Sequence, residues 1–168
     1  MLRQYLAGIF VLFLTILVGC SQNVHEGLPP LYPCNITVIQ DGKPLAGANV
    51  SLVRFDGDMK WVVCGTTNSS GVTAIQTQMR YAGAPEGKYK VRISKTVSEG
   101  EPKLVPSGDS EQPLSIGDIP SYFVIDPKYD HFNTTPFEIS IAKDKTNGES
   151  FDVGQSIKQP VSDNITKQ

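Results

Sequence analysis

The chain has 168 residues, of which 39% are apolar, with 15 Gly and 12 Pro. This suits one domain with a modest core and many turns, and excludes a wholly disordered chain. The formal charge of −2 comes with no basic run, which argues against a nucleic-acid partner and leaves no anionic ligand singled out.

Met1–Tyr5 carries the amino terminus and Arg3, and Leu6–Val18 is apolar apart from Gly8 and Thr15. A run of 13 residues is short for a hydrocarbon core of ~30 Å but fits the apolar region of a secretory signal. It ends in Leu17-Val18-Gly19-Cys20, which resembles the bacterial lipobox. The resemblance implies cleavage before Cys20, a diacylglyceryl group on its thiol and a fatty acyl group such as palmitate on the new amine. Each buried CH₂ contributes about 0.8 kcal/mol, so several chains together hold a protein on a membrane where one does not. The alternative is an uncleaved signal anchor with an incidental Cys. Ser21, where Asp would retain a lipoprotein at the inner membrane, favours the outer one. The expected location is therefore the cell envelope, lipid-anchored and facing the periplasm or cell surface. Residues 1–19 read as signal peptide and 20–33 as the lipidated Cys with a Pro-containing tether.

Strands are predicted in order. Cys34–Gln40 alternates, and Asp41-Gly42, Pro44 and Gly47 favour a turn before Ala48–Phe55. Phe55-Asp56-Gly57-Asp58 turns the chain into Lys60–Thr66, with Trp61, Val63 and Gly65 on one face and Val62 and Cys64 on the other. Asn68-Ser69-Ser70-Gly71 is a strong turn signal. In Val72–Gln78 the alternation blurs at Ala74-Ile75, which marks a bulge or a register change. Met79–Glu86 reads as a loop, and Gly87–Thr96 is the cleanest strand, with Tyr89, Val91 and Ile93 on one face. Residues 97–120 read as an exposed insertion, and Ser121–Ile125 as a short strand. Asp126–Asn133 reads as a loop or single helical turn, and Thr135–Lys143 as a strand. Asn147-Gly148 signals a hairpin turn, so that Phe151 and Val153 pair back. Residues 155–168 read as a polar, frayed tail. About seven short strands with this punctuation imply an all-β, two-sheet sandwich over residues 34–154.

Three stretches, DGKPLAGANVSLV at 41–53, GTTNSSGVTAI at 65–75 and GAPEGKYKVRIS at 83–94, resemble the carboxypeptidase regulatory-like domain, a prealbumin (transthyretin)-like sandwich. The stretch at 119–142 resembles the continuation seen in exported bacterial lipoproteins that carry this domain. These motifs are structural, so the resemblance implies a fold and, with no peptidase domain beside it, a non-catalytic structural or interaction module. No cofactor is implied.

Cys34 and Cys64, in an exported chain, read as a disulfide; two separately buried thiols are the alternative. His25 and His131 fall in a tether and a loop, where a catalytic triad would need a rigidly held imidazole. The purine-pathway hydrolase of the prealbumin-like fold uses paired His, an Arg and a C-terminal Tyr-Arg-Gly-Ser, which this chain does not match. No enzyme is therefore expected, and a hydrolase is the least favoured reading. Asp56 and Asp58 read as turn formers rather than Ca²⁺ ligands. Trp61, Tyr81 and Tyr129 offer a stacking surface for a sugar or peptide, against the plainer reading of core and cross-strand packing. A carbohydrate- or peptide-binding accessory lipoprotein is thus the alternative function, with a protein or glycan partner.

Overall fold

The computed structural model describes residues 27–57, 60–100, 104–105, 115–116 and 119–161. The expected signal peptide, Cys20 and the first part of the expected tether lie outside them. Within the described residues the fold is all-β, with one 3-10 turn at Pro127–Asp130. The principal strands are β1 (Cys34–Gln40), β2 (Asn49–Arg54), β3 (Val63–Thr66), β4 (Val72–Ala74), β5 (Gln76–Thr77), β6 (Gly87–Ser94), β7 (Glu138–Ile141) and β8 (Asn147–Asp152).

The larger sheet is organised around β6, whose alternation buries Tyr89, Val91 and Ile93 and leaves Lys88 exposed. β6 pairs with β2 from Tyr89↔Arg54 to Ser94↔Asn49, and on its other edge with β7 from Gly87↔Ile141 to Lys90↔Glu138. The order is β7-β6-β2-β3-β5, closed by the short strand Tyr81–Ala82, and every pairing is antiparallel. The smaller sheet is built on β1, which buries Cys34, Ile36 and Val38 on one face. Inward side chains of both sheets form one apolar cluster, the arrangement of a β-sandwich. Full burial of a Val or Ile contributes about 1.5–3 kcal/mol, so period-two alternation on both sheets is enough to drive the layers together.

The blurred alternation at Ala74-Ile75 has a definite cause. β4 pairs with β1 in the smaller sheet, and β5 pairs with β3 in the larger one. The chain crosses between layers at Ile75, whose N–H donates to Cys34 O at 2.9 Å and whose carbonyl accepts from Gly83 N at 2.8 Å. Gly71, at the preceding turn, has φ +71° and no room for a Cβ, which would lie 2.7 Å from Val38 O.

Three expectations are corrected. Asn147-Gly148 makes no hairpin: it opens β8, which leaves β7's sheet and pairs with β1 in parallel, from Asn147↔Cys34 to Asp152↔Ile39. The Asn147 side chain bridges the connection instead, accepting from Ala142 N at 2.9 Å and donating to Ala142 O and Pro33 O. The tether is not free up to Pro33, because Leu31–Tyr32 pairs antiparallel with Ala84–Pro85, inside the stretch expected to be loop. Gly83 permits this arm to dock: at φ +96°, a Cβ there would sit 2.6 Å from Tyr32 O. Finally, the tail is ordered through Val161, with Gln159–Pro160 paired to Tyr122–Phe123 and Ile157 N donating to Val124 O. The described parts of the expected insertion at 97–120 add strand pairings, Thr96–Ser98 with Ser121–Phe123 and Leu104–Val105 with Ser115–Ile116.

Candidate functional site

The arm, the end of β2, the start of β3 and the turn after β5 meet at one end of the sandwich. Beyond the pair Leu52↔Val63, the strands part. Val53 and Arg54 stay with Lys90 and Tyr89 of β6, while Val62 O accepts from Gln78 N at 2.6 Å. The fork opens a recess of about 170 Å³ lined by Val53, Arg54, Trp61, Val62, Pro85 and Tyr89 among others. That volume is below the roughly 300–1,000 Å³ of small-molecule sites, so it accepts little more than one apolar group. A shallower depression beside it brings Pro29, Pro30 and Tyr32 of the arm against Lys60 and Trp61.

Arg54 closes the rim. Its Nη2 lies 2.7 Å from Asp56 Oδ2, its Nε donates to both Asp56 oxygens at 3.0–3.1 Å, and its Nη1 donates to Glu86 O at 3.2 Å. The guanidinium stands 5.9 Å from the Tyr89 ring centroid, and Tyr89 Oη donates to Pro85 O at 2.8 Å. The Asp56 hydrogen bonds hold Arg54 above its ordinary pKa, so it stays cationic. Asp56 is thus an ion-pair partner as well as a turn residue. Among the described residues no group of three His, Cys, Asp or Glu is placed to hold a metal.

The predicted aromatic residues separate. Trp61 and Tyr81 are both at the arm end, Trp61 with Lys60 Nζ 5.2 Å from its ring and Tyr81 with Arg80 Cζ at 5.5 Å. Tyr129 lines neither recess; it stacks on Phe137 at 4.9 Å, which meets Phe151 of the other sheet at 4.9 Å. The 3-10 turn holding Tyr129 is fixed by Arg92, which donates to Asp130 O at 2.7 Å, and is capped by Asp126, which accepts from Lys128 N at 3.0 Å. His131 is exposed, and its carbonyl accepts from Thr134 N and Thr135 N.

The expected disulfide is not formed: Cys34 and Cys64 are free thiols. Cys34 points into the core with Ile36, whereas Cys64 follows buried Val63 and so points to the outer face of its sheet. Thiols on opposite sides of a sheet cannot bridge without backbone movement. Burial pushes the Cys34 thiol up to about 11, which makes it a poor nucleophile.

Two features of this end were not read from the sequence. One is the Arg54–Asp56 clamp, signalled only by two opposite charges at i, i+2 across a turn. The other is exposed Met79 in a turn lacking any turn-forming residue. Compared with protein-family models, curated proteins and solved structures, the chain gives no match.

Proposed function

We propose that this is a lipid-anchored, extracytoplasmic lipoprotein, held by acyl chains at Cys20, whose prealbumin-like sandwich serves as a non-catalytic structural or interaction module. Ser21 favours the outer membrane. The observation that carries the module reading is where the polar side chains of the resembling stretches go. Asn68 Oδ1 accepts from Ser70 N at 2.9 Å and Val72 N at 3.1 Å, and Thr67 Oγ1 donates to Leu45 O at 2.6 Å while accepting from Ala48 N at 2.8 Å. Thr77 Oγ1 donates to Gly83 O at 2.8 Å. These groups are committed to closing turns and joining layers, which is what a rigid display scaffold needs. The resemblance gains support from position at 41–53, a turn then a strand, and at 83–94, which leads into an aromatic-led strand. At 65–75 the expected turn is present, but its flanking strands join different sheets and make no hairpin.

Expression of the full chain in a bacterium with lipoprotein processing tests the anchor. Wild type is expected to be cut before Cys20 and acylated, and Cys20→Ser to remain as an unprocessed precursor. Normal acylation of Cys20→Ser would refute it.

A further inference from the structure

Among the described residues, four large apolar side chains are exposed: Phe55 (44%), Val62 (53%), Met79 (74%) and Ile119 (42%). Three of them sit at the arm end. β3 begins at Val63 and β5 ends at Thr77, so Val62 and Met79 emerge on neighbouring strand ends, while Phe55, at the end of β2, leans away toward Phe132 and Lys90. Trp61, the single Trp of the chain, lies next to Val62, half-buried against the core. Gln78 and Met79 hold φ of 56° and 53°, a region that L side chains rarely adopt. That conformation turns Met79 outward at the tip. Exposed Lys60, Arg80 and Lys88 belong to the same strand ends and turns, together with exposed Glu86 and with Asp56, which is paired to Arg54.

The arm says what faces this end. Leu31–Tyr32 docks on Ala84–Pro85 and Gly27 lies beside Trp61, and only six residues, or seven Cα–Cα steps, separate Cys20 from Gly27. Seven steps reach at most ~25 Å when fully extended. An acylated Cys20 would therefore hold this end, rather than the opposite one, close to the bilayer.

We propose that the arm end of the sandwich rests on the phospholipid surface, with Met79 and Val62 at headgroup depth, Trp61 in the interface, and Lys60, Arg80 and Lys88 over anionic headgroups. This rests on the anchored reading above. A Trp and a thioether with cations nearby is the composition of an interfacial contact. The opposite end, with the turns at 41–47 and 68–71, is then presented outward.

The test uses the mature acylated chain, reconstituted into phosphatidylethanolamine–phosphatidylglycerol vesicles with or without brominated acyl chains. Flotation reports the anchor, and quenching of the single Trp reports docking. Wild type is expected to float and to lose roughly half of its Trp emission on brominated lipid, since Trp settles at headgroup level. Val62→Asp/Met79→Asp, which changes two exposed positions, is expected to float equally but to lose most of that quenching. A chain that floats without quenching, or quenching indifferent to the double substitution, overturns the docked orientation while leaving the anchor intact. A wild-type chain that does not float overturns the anchor itself.

Discussion

The two ends of the sandwich follow different rules. At the outer end, Asp41-Gly42 turns the chain at φ of 52° and 69°, and Asn68-Ser69-Ser70-Gly71 closes on its own side chain. At the arm end, Gln78-Met79 adopts the same left-handed region with no Gly, Asn or Asp, and leaves a Met 74% exposed. One end uses residues that lower the conformational energy of the turn. The other keeps two non-Gly residues in a region that costs about 1–3 kcal/mol each, with the Met79 side chain exposed.

That contrast predicts unequal responses to substitution. The largest effect is expected at Gly71→Ala, where positive φ and a backbone oxygen 2.7 Å from the new Cβ should cost about 2 kcal/mol or more in urea unfolding. A neutral outcome would mean the turn at the outer end can relax. Next is an alkaline effect centred on Cys34. Its folded pKa of about 11 lies above the unfolded value near 8.5, so the unfolded chain loses the proton first and stability falls as pH rises through that window. The loss should reach about 2 kcal/mol and vanish in Cys34→Ala relative to wild type. Parallel pH curves for the two proteins would remove the buried-thiol assignment. Native-state alkylation sharpens it, since Cys64 should react and Cys34 only after unfolding.

Asn68→Ala removes two hydrogen bonds to the backbone and should cost about 1 kcal/mol. The smallest effect is of opposite sign. Gln78→Asn/Met79→Gly should stabilise the fold by about 0.5–1 kcal/mol by relieving the left-handed pair, measured as a shift of the urea midpoint. Destabilisation there would mean the Met79 side chain supports the fold rather than a surface.

Legibility in the sequence followed locality. Period-two alternation in β6 and β2, and the Gly and Asn turns between neighbours, were readable because side-chain parity and turn chemistry are properties of adjacent residues. Partners were not. Nothing near Asn147 signals that β8 crosses to the other layer and runs parallel to a strand more than a hundred residues away, and the Asn-Gly pair suggests a tight hairpin. Its buried side chain, bonded to Ala142 and Pro33, does the bridging that the turn was expected to do. The crossing at Ile75 was half visible, as an alternation that failed where the layers change. From sequence the free thiols read as a disulfide: parity puts Cys64 and Val63 on opposite faces, but only the packing shows that Val63 is the inward one and that Cys34 shares the buried face of Ile36. The candidate site was the least legible, since a strained turn and a forked pair of strands arise from tertiary packing and leave no periodic trace.

Hydrogen exchange of the mature acylated chain, compared between vesicles and detergent micelles, tests the asymmetry most directly. The account predicts added protection on vesicles at Val62 and Gln78–Ala82, with none at Asp41–Gly47 or Asn68–Gly71. Protection confined to the outer turns, or equal at both ends, would contradict it.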